Sequence, residues 1–421
     1  MSSEQECFVH IQMPRSLEVV PCGRFVHTPV GGGEGVGRFV YGRSYRERAD
    51  AVPIDPFSLP LTPRTYETGR LGGIFGALRD ASPDAWGRMV IGKVLGRDDL
   101  TEVDFLLQSP EDRAGALSFG LSPVPPVPVR DFNRVIHLRE LRQATRALEE
   151  GLVVETIRQQ LMHILQPTTS MGGARAKNTV EDEMGLWVAK FPMRHDRWNN
   201  GAVEAAMLRL AERCGVRIPE IRLEPLGHES VLLLRRFDRG KVEGGYLRHR
   251  MVSALTMLRA EDSPTDTANW SYLLLADELQ RWSSKPKADR EELYRRVVFN
   301  ALISNNDDHP RNHAVVAAGE GWRLAPAYDL TPNPQGGRQE RDLTLACGVH
   351  GRRACRDNLL SATARFGLRA EEGESIIQEV AGVIGRHWRS EVRKHGGSEK
   401  DCEAVAAAFL HAGFEYPVPE R

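Results

Sequence analysis

NNDDHPRN, residues 305–312, packs three asparagines and two aspartates into eight positions. Upstream, Leu293, Val297, Ala301 and Leu302 fall at helical spacing, so a helix over 291–303 should run into this loop. Asp307 and Asn312 stand five apart. A short loop with that D-x-x-x-x-N spacing offers a carboxylate to orient or deprotonate an acceptor hydroxyl, and an amide oxygen for a hard cation. Downstream, 313–316 reads as a strand, 319–321 as a turn and 322–327 as the returning strand. That hairpin would carry Asp329, in APAYDL, back beside Asn312. Asp and Asn in loops usually cap turns and helices. The hairpin with its second carboxylate favours chemistry over capping.

The matching half lies upstream. Lys190 sits in the apolar strand LWVAKFP, where a core-facing ammonium is costly without a counter-charge or a phosphate. Residues 200–214 repeat apolar groups at Val203, Met207, Leu210 and Ala211, with Gly215 placed to end a helix. Glu204 on that helix can pair with Lys190, as the strand lysine and helix glutamate of kinases do. In TTSMGGARAK, residues 168–177, Gly172 and Gly173 let backbone amides approach phosphates, while Arg175 and Lys177 add charge. It is not a Walker A loop. RRFDR, 235–239, follows an apolar strand at 231–234. It is either a segment whose backbone reads adenine or a charged strand end, and local pattern leaves both open.

The whole chain sets the limits. Its 421 residues carry 56 Lys+Arg against 57 Asp+Glu, a net charge of -1, which gives no support to whole-protein nucleic-acid binding. Composition is that of a globular protein of two or three domains. No run approaches the 18 or so apolar residues of a membrane span, and no secretory leader is visible at the start, so a cytoplasmic location is expected. The six cysteines form no CxxC pair and are expected to be buried thiols. Residues 1–120 alternate short apolar runs (7–11, 23–26, 37–41) with turn residues, then turn helical at 71–78 and 84–94. PVPPVP at 123–128 marks a connector. A further helix is expected over 138–165, and the chain beyond about 247 reads as mainly helical. The expected fold is α+β, a two-lobed protein-kinase-like arrangement with a small N-terminal sheet subdomain and a mostly helical C-terminal lobe. The expected divisions are 1–125, 126–240 and 241–421.

Taken in order, SMGGARAK, WVAKFP, LLRRFDR, NNDDHPRN and APAYDL resemble the HipA-like serine/threonine kinases, the toxin halves of bacterial toxin–antitoxin pairs. GRFVYGRSY and LGGIFGALRDASPDAWGR resemble that family's N-terminal subdomain. The resemblance implies a protein kinase using ATP and Mg2+. By motif match Asp307 is its catalytic base, and Asn312 and Asp329 its magnesium ligands. Lys190, Gly172, Gly173, Ala174, Lys177, Arg235, Phe237, Asp238 and His309 match ATP-binding positions, and Glu204 the structural ion pair. Ser170 matches the autophosphorylated serine, where a phosphate would compete for the donors that hold ATP. Asp308 stands where the family commonly has a small residue, which leaves the base at Asp307 or one position on. The implied partners are a protein substrate such as an aminoacyl-tRNA synthetase and a HipB-like helix-turn-helix antitoxin. Two other functions share the same residues: a small-molecule phosphotransferase, and a weakly catalytic partner in an antitoxin–DNA repression complex.

Overall fold

The computed structural model describes residues 4–31, 34–108, 113–126, 132–150, 175–227, 229–319, 321–334 and 339–418. The chain forms two units: Met1–Arg194 with Arg235–Asp262 and Val316–Ala318, and His195–Leu234 with Ser263–Val315 and Gly319–Arg421. No helix among the described residues is long and apolar enough to cross a membrane.

In the first unit, a five-stranded antiparallel sheet runs in the order Thr65–Thr68, Glu34–Tyr41, Val19–Gly31, Gln5–Gln12, Leu117–Gly120. Cys7, Val9 and Ile11 alternate onto one buried face, with Phe25 and Phe39 in register across the next two strands. A one-residue slip would turn that whole set to solvent, so the alternation fixes the register. The helix expected over 71–78 starts later, at Gly76–Asp80. Leu71, Gly72 and Gly73 are all left-handed, which breaks the helical path. Gly73 lies so close to the sheet that a Cβ on Gly37 would meet its carbonyl oxygen at 1.9 Å. The next helix, Ala85–Leu95, is capped by Asp84, whose carboxylate accepts from the Gly87 amide at 2.9 Å. It ends at left-handed Gly96.

The same unit holds a second strand pair. Lys177–Asp182 runs antiparallel to Gly185–Lys190, with Asn133–Arg134 parallel to it on the other side. Helix Leu138–Glu149 occupies the first part of the expected 138–165 helix; the rest lies outside the described residues. The expected divisions at 125 and 240 do not coincide with the units. Residues 235–262 are bound into the N-terminal sheet: Arg248 Nε donates to the Gly115 carbonyl at 3.1 Å, and Gln12 Nε2 to the Tyr246 carbonyl at 3.2 Å. Buried Asp80 accepts from the Ser253 amide (2.7 Å) and from the Ser253 and Thr256 hydroxyls (2.6 and 2.7 Å). These links join segments more than 130 residues apart, and no local pattern announces them.

The second unit is mainly helical, with a hairpin of Ile221–Leu226 and Glu229–Arg235. The long helix Ala370–Lys394 packs on Asn200–Arg213 and on Pro286–Leu302. Met207, Leu210, Leu293, Val297, Ile377, Val380 and Ile384 are fully buried there. Each such side chain contributes about 1.5–3 kcal/mol relative to exposure. Gly215 follows Asn200–Arg213 with φ 79°, the left-handed turn that its glycine suggests. All six cysteines are buried thiols.

Candidate active site

Helix Pro286–Leu302 delivers the loop. It carries a proline in its first turn, and its Leu293, Val297, Ala301 and Leu302 are buried as their spacing requires. Ser304, at φ 54°, turns the chain out of the helix, and its hydroxyl donates to the Ala408 carbonyl at 2.6 Å. A non-glycine residue in that conformation costs on the order of 1 kcal/mol, so the surrounding bonds hold it there.

Adjacent aspartates then part ways. Asp308 is 1% exposed, and one of its oxygens meets three partners: the Tyr272 hydroxyl, Asn300 Nδ2 at 2.8 Å and His313 Nε2 at 2.7 Å. Asn305 Nδ2 extends the network to Asn300 Oδ1 at 3.1 Å. Burial, then the Asp308 charge, lift the Tyr272 phenol well above its ordinary pKa and keep it a donor. Asp307 is exposed. Partial desolvation raises its carboxyl pKa, His309 pulls it down, and Asp329 and Asp308 push it up, for a net rise. Of the two, Asp307 has the carboxylate open to a substrate.

Asn312 is 4% exposed, and its Nδ2 donates to the Asp307 carbonyl at 3.2 Å, which fixes the amide plane. Its Oδ1 is buried and accepts no hydrogen bond among the described residues. A buried acceptor left in that state costs about 1–3 kcal/mol, so the site suits a cation or donor absent from the protein itself. Strands Ala314–Gly319 and Gly321–Leu324 form the expected hairpin, closed at its base by Ala325 N to Ala314 O at 2.9 Å. The Tyr328 hydroxyl donates to the Arg311 carbonyl at 2.8 Å, tying the end of APAYDL to the loop. Asp329 follows at φ 60°, and its charge is felt at Asp307. His309 caps the short turn Pro310–Asn312, its Nδ1 accepting from the Arg311 amide at 3.2 Å. These groups all belong to the second unit. An Asn oxygen and an Asp carboxylate, with phosphate oxygens, make the oxygen shell that Mg2+ takes.

Most of the other expected residues belong to the first unit. Lys190 ends its strand half-buried, opposite Lys177 in register. Glu204, 4% exposed, lies on a helix of the second unit. Lys177 begins a strand, is 3% exposed, and its ammonium bonds to Asp84. Asp238 also departs from expectation. It is fully buried, with Oδ1 accepting from Arg236 Nε (3.0 Å) and Oδ2 from Arg236 Nη2 (2.8 Å), Arg239 Nη1 (2.7 Å) and the Gly115 amide (2.9 Å). Burial pushes its carboxyl up, but Arg236 and Arg239 pull it well below the usual range. These four bonds make Asp238 a structural hub of its segment. Arg235 Nη2 donates to the Met184 carbonyl at 2.7 Å, and Phe237 is half-buried. Ser170, Gly172, Gly173 and Ala174 lie outside the described residues.

Tyr272, Asn300 and His313 have no counterpart in the motif reading. Asn300 alone left a trace, a polar group beside Val297 and Ala301 on the apolar stripe.

The HipA N-terminal domain model matches residues 20–120, and the HipA-like C-terminal domain model matches residues 169–388. A protein of Sinorhizobium fredii named "Putative kinase Y4mE" is 24% identical over 332 residues, 69% of this chain and 71% of that protein. A similarly named protein of Haemophilus influenzae is 26% identical over 144 residues, 31% of this chain and 42% of that one. Among solved structures, the Shewanella oneidensis MR-1 HipA, HipB and operator DNA complex contains a chain that matches with a TM-score of 0.69 at 17% identity. The match covers 96% of each chain, and the two share a fold.

Proposed function

The chain belongs to the HipA family, and from that premise we propose that it is an ATP- and Mg2+-dependent serine/threonine protein kinase, the toxin of a toxin–antitoxin pair. The observation that carries this is the loop 305–312. The same loop holds the exposed carboxylate of Asp307 and a buried Asn312 oxygen that accepts no hydrogen bond among the described residues. Asn312 and Asp329 would hold Mg2+, which when bound draws charge from the β- and γ-phosphates.

Asp307 accepts the proton of the acceptor hydroxyl as its oxygen bonds to the γ-phosphorus. The bond to the β–γ bridging oxygen breaks and ADP leaves. A carboxyl raised above its ordinary pKa is a better proton acceptor. One Asp308 oxygen is held by Tyr272, Asn300 and His313 and the residue is 1% exposed, whereas Asp307 is exposed, which favours Asp307 as the base. Lys190 remains a proposed phosphate contact and Glu204 the proposed structural ion pair. Phe237, Arg235 and His309 remain nucleotide contacts in this proposal, and Lys177 and Asp238 become structural. Ser170 would be the autophosphorylation site. The similarity to a chain of the HipA–HipB–operator complex supports a HipB-type antitoxin as partner. A translation-related protein such as an aminoacyl-tRNA synthetase is the proposed substrate class.

Incubation with ATP and Mg2+ followed by intact-mass measurement tests the reaction. One added phosphate on Ser170, or transfer to a protein acceptor, supports it. Transfer only to added sugars or aminoglycosides would make the enzyme a small-molecule phosphotransferase instead.

A further inference from the structure

Arg296 is 1% exposed inside the second unit. Its Nη2 donates both to Glu292 and to the Ala325 carbonyl, while Nε and Nη1 find no acceptor among the described residues. Burying a guanidinium with donors unused is expensive, and an aliphatic side chain of similar size would serve packing as well or better. Its retention therefore points to what it grips.

Ala325 lies four residues before Asp329, and the whole approach to Asp329 is tethered. Arg323 pairs with Asp289 at 2.8 Å, and the Leu324 amide donates to Asp289 at 2.9 Å. Arg217 Nη2 donates to the Leu324 carbonyl at 2.8 Å, and the Arg217 carbonyl accepts from the Ala327 amide at 2.7 Å. The Ala325 amide bonds to Ala314 O, its carbonyl to Arg296, and Tyr328 to Arg311 O. Glu292 joins the two arginines, one on each carboxylate oxygen.

We infer that Arg296, linked through Glu292 to Arg217, is a positioning residue that presets the backbone before Asp329, so that this carboxylate is presented to the cation without a reordering step. This rests on the reading of Asp329 as a magnesium ligand. Arg296 touches no reacting atom. Its effect reaches the reaction through the carbonyl of Ala325 and the left-handed Asp329. A displacement of about 1 Å at such a group costs up to a hundredfold in rate.

Arg296→Met separates positioning from stability, because Glu292 keeps Arg217 as its partner. The expected result is a melting temperature close to wild type, a Mg2+ concentration for half-maximal phosphoryl transfer raised about tenfold, and partial rescue at high Mg2+, with KM for ATP little changed at saturating metal. Hydrogen exchange without nucleotide gives a readout independent of activity: the Leu324, Ala325 and Ala327 amides should lose protection in Arg296→Met while those of helix 286–302 keep theirs. Unchanged Mg2+ dependence together with unchanged exchange would overturn the inference. If Arg296→Met fails to fold, Arg217→Met is measured in the same way, and equal protection of the three amides in that variant overturns it. A wild type that transfers no phosphate while Arg296→Met loses protection would refute the kinase reading and leave the positioning role standing.

Discussion

Asp238 and Asp307 both sit in polar segments and differ in what surrounds the carboxylate. Around Asp238 the protein supplies two guanidiniums and an amide, and no surface remains. Around Asp307 it supplies burial on one side, two further carboxylates and an imidazole, and leaves the group open. The first environment lowers a pKa and encloses the carboxylate in four hydrogen bonds; the second raises it and leaves the group exposed. A motif aspartate is thus a ligand-binding group only where the fold has not already satisfied it. RRFDR fails that criterion at Asp238, and NNDDHPRN meets it at Asp307 and Asn312.

Asp238→Asn offers the largest test of the contrast. It removes the carboxylate charge that both Arg236 and Arg239 bind, and should cost about 3–5 kcal/mol in a denaturant titration. Asp307→Asn should change stability by less than about 0.5 kcal/mol. Equal effects would erase the distinction. The same contrast has a pH signature. Because the folded pKa of Asp238 is depressed, its contribution is fully present above the unfolded value near 4 and is lost as pH falls through the folded value. Urea titrations between pH 5 and 2 should show that loss in wild type, and a smaller one in Asp238→Asn.

Asn312→Ala comes next. Deleting an acceptor left unsatisfied among the described residues, together with the Nδ2 bond to the Asp307 carbonyl, should change stability by no more than about 1 kcal/mol, while raising the Mg2+ requirement about tenfold, near 1.4 kcal/mol. A lower midpoint with normal metal dependence would make Asn312 structural, like Asp238. A pH–rate profile sharpens the other side. Asp307 must be ionised to take a proton, so activity is lost as pH falls through its pKa, and the acid limb should lie above the ordinary carboxylate value near 4. The smallest effect is expected from Arg235→Ala, which removes a partly exposed bond to one carbonyl. Stability should move by less than about 1 kcal/mol.

The parts legible in the sequence are those set by neighbours. The helix into the loop follows from Leu293, Val297 and Ala301, the left-handed end of helix Asn200–Arg213 from Gly215, and the hairpin from its turn. The spacing of Asp307 and Asn312 showed which groups share a loop, but not which aspartate faces out. That depends on Tyr272, 36 residues away, and on a helix residue, Asn300. Lys177 looked like a loop cation because its partner, Asp84, lies 93 residues upstream. The unit boundaries went unread for the same reason: Asp80 and Gln12 bind a segment that follows most of the chain. Long-range electrostatic pairing leaves no period in a sequence, whereas helix faces and turns do.

Intact-mass kinetics with ATP and Mg2+ on wild type, Asp307→Asn and Asp308→Asn, each checked for folding, test the central claim most directly. Wild type should gain phosphate or pass it to a protein acceptor. Asp307→Asn should fall by about a hundredfold or more, and Asp308→Asn should keep measurable transfer at a reduced rate. Transfer by Asp307→Asn at the wild-type rate, or its abolition in Asp308→Asn alone, would contradict the assignment of Asp307 as the base.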